Sequence, residues 1–267
     1  MFYLRWYLIT FLGISWLLTG CGASKKTAEA IKEESSKSVV LISHSKGFGT
    51  GFFINGEAGI CTVITAKHAV PKGADISIQS VTSKLPWKPL SIQRSNNVDL
   101  AVMTFKPLDG NCPFPALKTG DSNSLLLTQT IYISSYPGGV NGQPTKQSFY
   151  ISNVNDKSPG SDGYEIGYKA DSQGGTSGSP VLNEFNEVVA VHERSYLNKG
   201  IDQAGNNRAY LDLAIPINFY RQDEISKVIP SKQADLQQSI SKTGSLPKPN
   251  INWVSINTVR LSYQKIR

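Results

Sequence analysis

Histidine, cysteine and methionine are scarce in this 267-residue chain, which holds three, three and two of them. Three cysteines are too few for a disulfide-stapled scaffold or a four-cysteine zinc site. The histidines, His44, His68 and His192, have no ligand spacing to one another, so the sequence points to no metal and no cofactor. Charged residues make up only 18% of the chain and hydrophobic ones 39%, a balance that excludes wholesale disorder. Only one long apolar run occurs, Trp6 to Leu18, so a protein crossing the membrane with several helices is excluded. The formal charge of +7 is not spread evenly. Residues 229–267 carry six basic side chains against Asp235 alone, whereas 21–228 hold 20 positive and 19 negative groups. A nucleic-acid-binding domain concentrates basic charge on its folded body, so no nucleic-acid partner is expected.

What is present begins with a leader. Residues 1–20 have one basic residue, Arg5, followed by the short apolar run and then Leu18-Thr19-Gly20-Cys21. The plainer readings are an uncleaved anchor or an ordinary signal segment. The cysteine at its end makes the segment similar to a bacterial lipobox, which implies lipidation at Cys21 and a membrane-held protein facing the periplasm or exterior. Residues 21–37, small and charged, read as a spacer or a short frayed helix.

From Ser38 the chain turns to short β-rich runs separated by turn residues. Strands are expected near 38–44, 48–54, 60–66, 75–82, 87–93 and 99–105. A second set falls near 130–135, 146–152, 164–169, 179–183, 187–193 and 209–215. Pro107, Gly110, Pro113, Pro115 and Gly120 mark a connector between the sets. The expected fold is therefore all-β, with two six-stranded antiparallel barrels at about 38–110 and 125–218. An amphipathic helix over 216–228 closes a domain spanning 38–228, and 229–267 form a basic tail.

Three segments carry chemistry. Thr65-Ala66-Lys67-His68-Ala69 follows an apolar strand, Asn97-Val98-Asp99-Leu100 heads another, and Gly174-Gly175-Thr176-Ser177-Gly178-Ser179-Pro180 forms a glycine-rich turn. Each alone has an ordinary structural reading. Together they give His, Asp and Ser in order, 31 and 78 residues apart, one of the arrangements of a nucleophile, its base and the base's orienter. A serine hydroxyl is a poor nucleophile until an imidazole takes its proton, and a carboxylate must hold that imidazole in one tautomer. Glycines let the N–H groups of Gly175 and Ser177 converge on a developing oxyanion.

These motifs, with Phe48-Gly49-Thr50-Gly51-Phe52-Phe53-Ile54 upstream, resemble trypsin-like serine peptidases of the chymotrypsin fold over roughly residues 38–220. Gly175 to Asn183 looks most like bacterial glutamyl endopeptidases and cyanobacterial trypsin-like peptidases. The resemblance implies His68 as general base, Asp99 as its orienter, Ser177 as nucleophile, and Gly175 and Ser177 as the oxyanion hole. It also implies a substrate pocket containing Ser172 and His192, suited to an acidic side chain before the scissile bond. Val189 to Ser195 departs from the family pattern, because Glu193-Arg194-Ser195 replaces the expected aromatic and glycine residues. Glu193 would then repel an acidic side chain and raise the pKa of His192, or pair with Arg194.

The expected protein is a monomeric, envelope-anchored serine endopeptidase acting on peptides or proteins. The alternative is a catalytically silent trypsin-fold lipoprotein that binds or scaffolds without cleaving. Cys61 and Cys112 either bridge the strand before His68 to the connector or are two small buried residues.

Overall fold

The computed structural model describes residues 24–82, 86–107, 110–138, 146–158, 163–170, 172–197 and 210–226. The leader with Cys21 and the tail 229–267 lie outside the described residues.

The first sheet contains β1 (Val39–His44), β2 (Gly47–Ile54), β3 (Cys61–Ala66), β4 (Ser77–Ser80), β5 (Ser91–Arg94) and β6 (Leu100–Phe105). Its order is β4-β1-β2-β3-β6-β5, antiparallel throughout. Ile78 and Trp87 exchange both backbone hydrogen bonds, linking edge strand β4 to the chain that enters β5 at the other edge. The second sheet has β7 (Lys118–Thr119), β8 (Thr130–Ser135), β9 (Ser148–Asp156), β10 (Ile166–Tyr168), β11 (Pro180–Leu182), β12 (Glu187–Leu197) and β13 (Tyr210–Pro216). The order β11-β8-β9-β10-β13-β12 closes on itself because β11 also pairs with β12, and β7 adds to β12 in parallel. This is the all-β double barrel of the chymotrypsin type.

Both faces of the central strands are buried, and this explains why they read as continuous apolar runs rather than alternations. In β2, Phe53 fills the first barrel while Phe52 points to the seam between barrels. Val63 and Ile64 divide in the same way on β3, as do Met103 and Val102 on β6. Ile131, Ile133, Ile166, Tyr168 and Val181 fill the second barrel. The seam collects Phe52, Ile64, Leu100, Tyr132, Tyr164, Leu182 and Ile215. The functional residues converge beside it.

The structure adjusts two sequence expectations and decides a third between its alternatives. Within the segment read as a spacer, Ala28–Ser36 form a helix, α1, capped by the Thr27 hydroxyl, which accepts from Ala30 N–H at 3.2 Å. Ile31 is fully buried in the seam cluster, so this helix is docked rather than frayed. The closing helix is shorter than the expected 216–228: α2 covers Ile217–Gln222 and a 3₁₀ turn follows at Glu224–Ser226. Asp223 adopts extended backbone and its carboxylate accepts from Ser95 Oγ at 2.5 Å, which ends the helix. Cys61 and Cys112 form a disulfide with Cα atoms 5.0 Å apart, pinning the connector to β3. Phe114, just beyond it, stacks on Phe53 at 4.4 Å.

Candidate active site

His68 lies just past the end of β3, where a tight turn follows the strand: Ala69 N–H and Val70 N–H bond back to Ala66 O and Lys67 O. Asp99 directly precedes β6, the neighbour of β3. Sheet pairing therefore sets the two residues side by side. Lys67 N–H donates to Asp99 O at 3.0 Å, and its ammonium donates to Val98 O at 2.8 Å and Ser95 O at 3.1 Å. Lys67 thus holds the loop that delivers Asp99.

The carboxylate grips His68 at two points. Asp99 Oδ1 accepts the His68 backbone N–H at 3.0 Å, and Oδ2 lies 2.7 Å from Nδ1. Tyr164, at the seam, adds its hydroxyl to Oδ2 at 2.7 Å. Burial alone would raise the Asp99 pKa, but the hydrogen bonds from His68 and Tyr164 outweigh it and hold the group below the ordinary carboxylate range. Asp99 is therefore ionised, the state that fixes the proton of a neutral imidazole on Nδ1 and leaves Nε2 as acceptor. The His68 ring is 46% exposed, so that acceptor is within reach of a substrate.

Ser177 sits in the turn between β10 and β11, shaped by two glycines in left-handed backbone. Gly175 has φ +95°, and a Cβ there would meet the Phe48 ring at 2.2 Å and Tyr136 O at 2.6 Å. Gly178 has φ +88°, and its Cβ would lie 2.1 Å from Thr50 O. No other residue fits either place. Thr50 clamps this turn: its N–H donates to Ser177 O at 2.8 Å and its hydroxyl to Gly175 O at 2.8 Å, while it accepts from Tyr136 N–H at 2.9 Å. Among the described residues, the N–H groups of Gly175 and Ser177 have no hydrogen-bond partner. The Ser177 hydroxyl donates to the main-chain carbonyl of Glu193 at 2.7 Å.

Glu193 occupies the site in a way the sequence does not reveal. The β12–β13 register shifts between His192 and Arg194, so Glu193 is the extra residue of a bulge and its side chain turns inward. It is completely buried, with Oε2 3.6 Å from His68 Nδ1. Burial, reinforced by the charge of Asp99, pushes its pKa well above the ordinary range, against the opposing pull of Arg194 and Lys67. Arg194 makes no close ion pair with it. Its guanidinium lies 4.3 Å over the Tyr164 ring and donates to the Tyr164 hydroxyl.

The two residues expected in the substrate pocket each bond a neighbouring side chain. His192 is 2% exposed, and its Nδ1 shares a 2.6 Å hydrogen bond with the Tyr168 hydroxyl. Burial pushes its pKa down to about 4, so desolvation wins over any rise from neighbouring carboxylates and the ring is neutral at physiological pH. Ser172 donates its hydroxyl to Asp212 Oδ1, and the other oxygen of Asp212 accepts Ala170 N–H at 2.7 Å. Tyr164, Tyr168 and Asp212 belong to no local motif with chemical meaning, and Thr50, though within the Phe48–Ile54 motif, had no role assigned to it from sequence.

With this geometry in place, the comparisons with known proteins are direct. The description "Trypsin-like peptidase domain" matches residues 49–191, which include His68, Asp99 and Ser177. The chain belongs to the trypsin-like peptidase family and is a serine endopeptidase. No curated protein matches it. Among solved structures, it is similar to Rv3671c from M. tuberculosis H37Rv in the inactive form of a serine-to-alanine mutant. That likeness has 18% identity and a TM-score of 0.58, covering 78% of this chain and 97% of the other. Deg5 is similar at 21% identity and a TM-score of 0.56, covering 73% and 90%. A serine endoprotease from Yersinia pestis shares 13% identity at a TM-score of 0.56, covering 83% and 69%. At these identities the likeness shows the fold.

Proposed function

We propose that the chain cleaves peptide bonds through Ser177, His68 and Asp99, from a lipid anchor in the cell envelope. The two-point grip of Asp99 on His68 carries the catalytic half, since it fixes the tautomer that a general base requires. In the reaction the Ser177 hydroxyl turns from the Glu193 carbonyl to His68 Nε2, and Oγ attacks the scissile carbonyl. His68 takes the proton, and the imidazolium is stabilised by ionised Asp99. The free N–H groups of Gly175 and Ser177 receive the oxyanion. His68 then returns the proton to the leaving amine, and water repeats the sequence to release the acyl group.

An active-site-directed fluorophosphonate should label Ser177 and no other serine, as read by peptide mass spectrometry. An unlabelled Ser177 in folded protein refutes the catalytic reading.

A preference for acidic residues before the scissile bond rests on the resemblance to glutamyl endopeptidases. The His192 ring is neutral, with Nδ1 held by Tyr168, so it offers no cationic clamp for a carboxylate, and Ser172 donates to Asp212. The side-chain preference is therefore left to a peptide-library digest, in which predominant cleavage after Glu would restore the glutamyl reading.

The lipobox-like run ending at Cys21 supports the anchoring half. Lys26 N–H already bonds Glu184 O at 2.7 Å, so only a few residues separate the lipidated position from the folded body. At no more than about 3.6 Å per residue, this tether holds the barrels close to the bilayer rather than away from it. Cys21→Ser should abolish lipid attachment and shift the protein from membrane to soluble fractions. Unchanged membrane retention, with an unmodified Cys21 in the wild type, contradicts the anchor.

A further inference from the structure

Glu193 is the charged group of the site that peptide hydrolysis leaves without a task. Its carboxyl is fully buried, and among the described residues neither oxygen has a hydrogen-bond partner. Leaving such a group unmatched is costly, and more so beside the negative charge of Asp99. A proton would remove the charge but still leave both oxygens unpaired. A cation would satisfy them, and two further ligand atoms lie close by. His68 Nδ1 is 3.6 Å from Glu193 Oε2 and 2.7 Å from Asp99 Oδ2, and the donor atoms of the three side chains all lie within 4.8 Å of one another.

We propose that His68 Nδ1, Asp99 Oδ2 and Glu193 Oε2 form a binding site for Zn²⁺, and that its occupancy switches the peptidase off. One imidazole nitrogen and two carboxylate oxygens are a zinc donor set, whereas calcium and magnesium need more oxygen ligands than this site supplies. Tetrahedral bonds of 2.0–2.2 Å set ligand atoms about 3.4 Å apart. The Nδ1–Oε2 separation of 3.6 Å is close to that value. The Nδ1–Oδ2 pair, at 2.7 Å, opens as the metal replaces the hydrogen bond. Water takes the fourth position, and the half-exposed His68 ring gives the way in. Arg194 Nη2, 3.9 Å from Asp99 Oδ2, opposes a second cation, which makes zinc a reversible ligand rather than a permanent part of the fold.

Inhibition follows from the tautomer. The neutral imidazole has one N–H, kept on Nδ1 by Asp99. Zinc bound at Nδ1 requires that proton to move through solvent to Nε2, and a Glu193 proton, when present, is released to water. The ring then has no lone pair at Nε2 with which to take the proton of Ser177.

The site shares His68 and Asp99 with the catalytic reading, so binding is measured apart from activity. Full-length protein in detergent is titrated with Zn²⁺ against a chromophoric chelator, with Mg²⁺ as comparison. One zinc per chain is expected in the wild type and equally in Ser177→Ala, with no effect of Mg²⁺. Glu193→Gln and His68→Ala should each weaken zinc binding at least about tenfold. Zinc should also raise the thermal midpoint of the wild type but not of these variants. It should protect Ser177 from fluorophosphonate, reversibly on chelation. If Glu193→Gln does not fold, His68→Ala and the protection measurement still decide. Zinc that binds both variants as well as the wild type, or fails to bind at all, overturns the site. Zinc that binds there without blocking the label overturns the inhibition. If Ser177 never labels but zinc still binds through Glu193, the catalytic reading fails and the site stands.

Discussion

Replacing Ser177 by alanine should lower peptidase turnover by about three to six decades while leaving the protein folded. The turn that presents the side chain does not depend on it. Thr50 holds the backbone through Ser177 O and Gly175 O, and Gly175 and Gly178 provide the left-handed geometry. Among the described residues the hydroxyl makes one hydrogen bond, to Glu193 O, and its loss costs on the order of 1 kcal/mol. Residual rate above the uncatalysed reaction would come from the N–H groups of Gly175 and Ser177, which the substitution keeps. The comparison is kcat in Ser177→Ala against wild type at equal thermal midpoint. Retention of more than a tenth of the activity would show that another group performs the attack.

Asp99→Asn should cost about four decades in kcat, through proton placement rather than through packing. Asp99 Oδ1 faces the His68 backbone N–H, a donor that cannot turn away. An amide must therefore put its oxygen there and its NH₂ at the Oδ2 position. That NH₂ donates toward Nδ1, which drives the imidazole proton to Nε2 and removes the base. It also meets the Tyr164 hydroxyl, which must rotate away. A fall in kcat with KM within a few-fold of wild type is the expected pattern. Activity within tenfold of wild type would mean that Asp99 does not control the tautomer.

The strand pattern, the connector and the local settings of His68, Asp99 and Ser177 were legible in the sequence because each depends on near neighbours. His68 follows an apolar run, Asp99 heads one, and Ser177 is flanked by the glycines its turn demands. The unseen parts depend on contacts between distant segments. Tyr164 reads as an ordinary aromatic beside a strand, and only the seam between barrels brings its hydroxyl to Asp99. Glu193 follows His192 in what reads as a regular strand, where alternation would send the two to opposite faces. The bulge breaks that alternation and both are buried. The sequence marks His192 but not its solvation, and desolvation decides its charge. In α1, Ile31, with Ala28 and the buried Ser35, docks a helix whose remaining residues look like a solvated spacer.

Thr50 has a consequence for the order of events in folding. It belongs to β2, yet the carbonyl its hydroxyl binds lies 125 residues further along the chain. Contacts so distant in sequence form late, because the intervening chain must first be ordered. The first barrel can assemble with His68 and Asp99 already side by side, but the nucleophile turn is braced only when the second barrel docks on it. On the proposed mechanism, a half-made chain would then carry the base, His68, without its nucleophile, Ser177. Proteolytic competence appears at the last tertiary step, when few unfolded segments of the protein's own chain remain to be cut.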